Sequence, residues 1–198
     1  MENRILIIGD EFFGDMGEAA NHAAEILLCR EANRPMQFSI NAPAVQSIDQ
    51  LITRASADII GKKAGRIVVG LGLRELKHVK GDGQKVALSY QTLAEELVLK
   101  TQSKLNFITL PVDLFPESVS QLNFINETIR GLEQKYQDRV KVFDFAVHSD
   151  KFKEKQAERG KFARSIYTEE GKPTAICTML LALFLQECIL KEIKDIKE

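Results

Sequence analysis

Tryptophan is absent from the 198 residues, and cysteine and histidine occur only three times each. Cys29, Cys177 and Cys188 cannot all pair with one another and show no metal-ligand spacing, so they read as reduced thiols of a cytoplasmic protein. No His-x-His or Cys-x-x-Cys spacing exists, which removes the usual zinc sites and leaves no cofactor indicated. Net charge is nearly missing as well. At −1, with no basic stripe interleaved with aromatics, the chain offers nothing to attract nucleic acid or an anionic membrane surface. Long apolar runs are lacking too: the longest, "AICTMLLALFL" from Ala175 to Leu185, falls well short of the ~20 residues that cross a bilayer. The opening "MENRILIIGD" enters a strand-like segment without the apolar stretch and cleavage site of a secretory leader. Internal repeats, low-complexity tracts and linkers are likewise absent, which predicts one domain over residues 1–198.

What the chain does have is alternation. Strand-like runs recur at "RILIIG" (4–9), "QFSI" (37–40), "RIVVG" (66–70), "LNFITL" (105–110) and "VKVFDF" (140–145). Several are unbroken Val, Ile, Leu and Phe, as expected of strands covered on both faces. Between them lie apolar stripes of helical period. The first holds Ala20, Ala23, Ala24, Leu27 and Leu28, and the second Ile48, Leu51, Ile52, Ala55 and Ile59. A third holds Leu93, Ala94, Leu97 and Val98, and a fourth Val119, Leu122, Ile125, Ile129 and Leu132. A long helix from about Thr174 to Ile196 closes the chain, apolar around most of its circumference, so that a second copy could cover what the sheet does not. Strand–helix alternation predicts a parallel sheet with helices on both faces.

In such sheets ligands bind at the carboxyl ends of the strands. The residues there are Asp10 and Glu11, Asn41 to Ala44, Gly72 to Glu75 and Pro111 to Asp113, together with the loop from Tyr167 to Lys172. The segment "HVKGDGQK" (78–85), with two glycines and no apolar anchor, predicts a mobile loop beside that end. The three histidines, His22, His78 and His148, read as surface or capping residues.

Four blocks at these positions resemble, in order and spacing, those of the SGNH hydrolases, the GDSL family of esterases and lipases. "ILIIGDE" is similar to the first block, an apolar strand followed by Gly-Asp-Ser. "INAPAVQSIDQLITR" stands where an Asn-x-Gly stretch leads into a helix. "RIVVGLGLREL" resembles the strand followed by Gly-x-Asn-Asp, and "YTEEGKPTAICTMLLALFL" the Asp-x-x-His-Pro-Thr that opens the last helix. The resemblance implies a three-layer α/β/α sandwich whose five parallel strands run in the flavodoxin-like order 2-1-3-4-5, with "RILIIG" central.

Carried over position by position, the resemblance also shows what has changed. Glu11 stands at the nucleophilic serine and Lys172 at the general-base histidine, while Glu169 replaces the orienting aspartate. Arg74 stands at the oxyanion-hole asparagine, and Ala42 to Ala44 occupy the place of its glycine. Gly9, Asp10 and Gly72 are kept. A glutamate has no hydroxyl proton for a base to remove, and lysine is about four pKa units more basic than histidine. Ordinary ester hydrolysis is therefore not expected. The expected function is a small-ligand-binding or protein-interaction module, its partner a small polar molecule or a protein. Asp10, Glu11, Ala44, Gly72, Arg74, Glu75 and Lys172 would line its pocket, and the last helix leaves two options, cover by the chain itself or a homodimer. The alternative is a hydrolase or acyltransferase of the same fold acting on acyl esters with unorthodox residues. Acid has entered at position 11 and base at 74 and 172, so an ion pair from Glu11 to Arg74 or Lys172 is expected.

Overall fold

The computed structural model describes residues 3–33, 35–43, 46–78, 82–112, 116–158, 166–167 and 174–195, with backbone alone for 11–21, 77–78, 116 and 195. Five strands form one sheet: β1 (Arg4–Gly9), β2 (Gln37–Asn41), β3 (Arg66–Gly70), β4 (Lys104–Ile108) and β5 (Val140–Phe143). Their order is β2-β1-β3-β4-β5, and every pairing is parallel. This is the expected topology. β1, expected to be central, is interior but second from the edge, and β3 is the middle strand; both are buried along their apolar residues because helices cover both faces.

The helices are α1 (Glu11–Ala32), α2 (Ile48–Asp58), α3 (Leu73–His78), α4 (Gly83–Lys100), α5 (Val119–Tyr136), α6 (Phe145–Glu158) and α7 (Ala175–Asp195). One layer pairs α1 with α7, and α6 touches α7. The other is the row α2, α4, α5. Successive side chains of a strand point to opposite faces, and β4 shows it. Phe107 meets the Tyr90 ring of α4 edge-on with centroids 6.1 Å apart, whereas Asn106 donates to Glu192 of α7 at 2.9 Å.

The predicted stripes turn inward as their period requires. Ile48, Leu51, Ala55 and Ile59 are buried along α2, Leu93, Ala94 and Leu97 along α4, and Leu122, Ile125, Ile129 and Leu132 along α5. Val119, placed in the fourth stripe from the sequence, is exposed because it sits at the first turn of α5, beyond the sheet's cover. Helix α7 is buried on most sides, through Cys177, Leu180, Leu181, Ala182, Phe184, Leu185, Ile189 and Ile193, leaving Met179 and Leu183 exposed. None of the described helices is long and apolar enough to cross a membrane.

Three sequence expectations need correction. The segment after β3 is largely helical: α3 runs to His78, and α4 starts at Gly83 with the Asp82 carboxylate accepting from the Gln84 amide at 2.9 Å. Residues 79–81 lie outside those described. "VKVFDF" ends as a strand at Phe143; Asp144 and Phe145 turn into α6, which carries too few apolar residues to signal itself. His148 is not a surface residue. It is half-buried against the Phe184 ring, with centroids 4.7 Å apart, and lies nearly parallel to Phe145 at 6.3 Å.

Candidate functional site

The strand order fixes where a ligand can enter. After β1 the chain crosses to β2 on one side, then returns to place β3 on the other, so the segments following β1 and β3 diverge into opposite layers. The crevice at such a switch point, outside the carboxyl ends of the strands, is where open α/β sheets bind ligands. Asp10 follows β1 there, and Leu71 to Glu75 follow β3.

Asp10 is fully buried, and a buried carboxylate is tolerable only when well hydrogen-bonded. Its Oδ2 accepts from the Gly72 amide at 2.9 Å and the Arg74 amide at 3.1 Å, which fastens the β3–α3 turn to the end of β1. The turn needs glycine: Gly72 has φ of +107°, and an added Cβ would lie 3.3 Å from Val86 Cγ1. Tyr90 of α4 holds the preceding residue. Its hydroxyl accepts from the Leu71 amide at 2.8 Å and donates to the Leu71 carbonyl. Burial pushes the phenol well above its usual range, the bond to Leu71 opposes this, and the nearby charges of Asp10 and Glu75 add to it.

Glu75 ties the turn to the second crossover. One carboxylate oxygen accepts from the Ile48 amide at the start of α2 at 2.8 Å; the other is buried with no partner among the described residues. Helix α2 is also closed by a capping box between Ser47 and Gln50. Just before it, buried Gln46 reaches the Gly9 carbonyl at 3.5 Å and accepts from Arg54 at 2.8 Å. The turns after β1, β2 and β3 are thus one connected polar assembly.

Farther along the same sheet end, Thr109 and Asp144 follow β4 and β5. The Asp144 carboxylate accepts from Thr109 Oγ1 at 2.8 Å, from Arg130 Nε at 2.7 Å and from the Val147 amide at 3.2 Å. Burial raises its pKa, but the bonds from Arg130, Thr109 and Val147 outweigh that and hold it below the usual carboxylate value. Every oxygen of this cluster is engaged within the fold, so it closes the sheet end.

Of the residues singled out from the sequence, Asp10, Gly72, Arg74 and Glu75 are brought together at the crevice. Glu11 opens α1 directly after Asp10, but its side chain, together with Ala44, Glu169 and Lys172, lies outside the described residues, as does the expected Glu11 ion pair. Thr174, two positions beyond Lys172, is anchored through its amide and hydroxyl to the Ile166 carbonyl, both at 3.0 Å. Sequence reasoning missed Gln46 and Tyr90. Tyr90 sits in the amphipathic run "ALSYQTLAEEL", where nothing but its hydroxyl sets it apart from an ordinary core aromatic.

No protein-family model matches the chain, and neither does any curated protein sequence. Solved structures do. An acetyl xylan esterase, AlAXEase, superposes with a TM-score of 0.75 at 17% identity, covering 93% of this chain and 98% of the other. The lipase/acylhydrolase from Enterococcus faecalis gives 0.77 at 11% identity, with 97% of both chains covered. A protein assigned as a GDSL-like lipase from Parabacteroides merdae gives 0.75 at 14% identity over 95% and 96%. The fold is that of the SGNH hydrolases. At such identities the likeness is one of fold alone.

Proposed function

We propose that this SGNH-fold chain is a ligand-binding or protein-interaction module without conventional esterase chemistry. One observation carries the reading: the framework of the site is kept while the reacting positions are exchanged. Asp10 directly follows β1 and fastens the turn at Gly72, yet the next residue, where the nucleophilic serine would stand, is Glu11. The general-base position is Lys172. In triads, loss of one member costs ~10³–10⁶ in rate, and here two are replaced. A carboxylate in a crevice needs a cation or hydrogen-bond donors, and Arg74 and Lys172 are the basic residues supplied.

The test is Glu11→Ser. With Lys172 unchanged, the variant is expected to show no gain in hydrolysis of short acyl esters over the wild type; a clear gain would refute the assignment of Lys172 as a disabled base. Homodimerisation over the exposed Met179 and Leu183 of α7 is part of the same proposal. Light scattering is expected to report twice the chain mass at high concentration, and a strict monomer would remove that partner.

The chemistry of the neighbours favours a second reading, an enzyme of this fold acting on acyl esters through Glu11. It requires turnover that Glu11→Gln abolishes.

A further inference from the structure

We infer that the open edge of β2 is a contact surface for a second copy of this chain, which pairs with it antiparallel about a twofold axis at Ser39. The inference rests on the interaction half of the reading above. Its surface is separate from α7, which packs beside α1 in a helix layer, whereas β2 is an edge of the sheet.

The backbone sets the register. In β2 the Gln37 amide donates to the Asn3 carbonyl at 2.9 Å, and Gln37 stands opposite Arg4 in the parallel ladder. Backbone groups alternate in direction along a strand, so Gln37, Ser39 and Asn41 turn theirs toward β1, while Met36, Phe38 and Ile40 turn theirs away. Met36 has the same phase. Its amide donates to Cys29 Sγ at 3.2 Å and its carbonyl accepts from that thiol at 3.4 Å, so Cys29 caps this end of the edge. Phe38 and Ile40 have no such cap among the described residues, and Ile40 is 42% exposed.

The opposite edge of the sheet is closed. On β5 the outward Val142 amide donates to Glu133 of α5 at 2.8 Å, and Glu133 also holds Lys141 at 3.1 Å. Cover and charge are devices that keep an edge strand from pairing with another chain. Beyond Cys29, β2 has neither. Gln37, Ser39 and Ile40 are exposed, and the sequence from Pro35 to Ile48 carries no charged residue.

What fits this edge is the edge itself. "QFSIN" reads alike in both directions: amide, apolar, serine, apolar, amide. Antiparallel pairing centred on Ser39 sets Phe38 opposite Ile40 of the second copy, and both residues have their backbone groups turned outward. Directly opposed residues of this kind exchange both their hydrogen bonds. Phe38 and Ile40 also make an aromatic–β-branched pair, Gln37 meets Asn41, and no like charges face one another. Centring on Phe38 would call on Met36, whose groups Cys29 already holds. Centring on Ile40 would set Phe38 against Ala42, beyond the end of the strand. A contact of one short strand lies at the weak end of protein interfaces, with a Kd on the order of 100 μM.

Amide hydrogen exchange of the full chain, read residue by residue at about 30 μM and about 1 mM, tests the pairing. With that Kd, Phe38 and Ile40 should exchange about threefold more slowly at the higher concentration, and the amides of α4 should not change. Ser39→Lys and Ser39→Glu each set like charges face to face at the twofold axis and should remove the slowing. An equimolar mixture of the two variants should restore it, because opposite charges then meet. Exchange at Phe38 and Ile40 that does not depend on concentration would overturn the inference, as would slowing that both variants leave intact. Twice the chain mass in light scattering without that slowing would also overturn it, and would leave the α7 contact standing. Ester turnover would refute the non-esterase reading and leave the edge contact untouched.

Discussion

Tyr90 uses one hydroxyl twice, as acceptor for the Leu71 amide and donor to its carbonyl, inside a core that excludes water. Removing that oxygen strands two buried backbone groups, which costs about 1–3 kcal/mol. Tyr90→Phe is therefore expected to lower Tm, by roughly 2–4 °C for each kcal/mol in a domain of this size. An unchanged melting curve would show that the turn after β3 is held without it. Asp10 was legible as a framework residue because its resemblance places it beside Gly9 and Gly72. The hydroxyl of Tyr90 was not, since a sequence records an aromatic at a core position without saying which turn lies above it.

At the scale of elements, two contacts set how helices sit. Gly83 begins α4 against α5 so closely that an added Cβ would lie 3.1 Å from Gln121 Cβ and 3.2 Å from its Cα. Alanine's better helix propensity gains at most about 1 kcal/mol mid-helix, and less at a first turn. Overpacking costs about 1–3 kcal/mol, so Gly83→Ala should destabilise in a urea melt; a more stable variant would contradict that packing.

The second contact is proton-sensitive. Burial holds His148 below the usual imidazole pKa; Glu187 of α7 opposes this, and Lys151 and Lys155 of α6 reinforce it. A depressed folded pKa means the stabilisation is complete above the unfolded value of about 6.5 and is lost as pH falls toward the folded one. Asp144, whose folded pKa is also depressed, loses its contribution at lower pH, below the ordinary carboxylate value near 4. Both sit at the start of α6. Amide exchange in α6 should thus accelerate between pH 7 and 5.5 relative to α4, and His148→Phe should abolish the difference; pH-independent exchange would contradict it. Helix α6 escaped the sequence reading for the same reason that it is easily loosened: among its described side chains only Phe145, Ala146 and Ser149 are buried.

For the whole molecule, the parallel sheet could be read from five apolar runs, because burial on both faces writes itself into composition, whereas its strand order came from the resemblance of the blocks at their ends. The candidate site was legible only as positions. Which acids neutralise which amides is a fact of packing that no spacing encodes. What the neighbours share with this chain is the fold, and the proposal sets Glu11 and Lys172 at its reacting positions. The most direct measurement is hydrolysis of a short acyl ester such as p-nitrophenyl acetate by the purified wild-type protein beside Glu11→Gln. Turnover indistinguishable from buffer for both proteins is the predicted result; clear wild-type turnover that Glu11→Gln abolishes would contradict it.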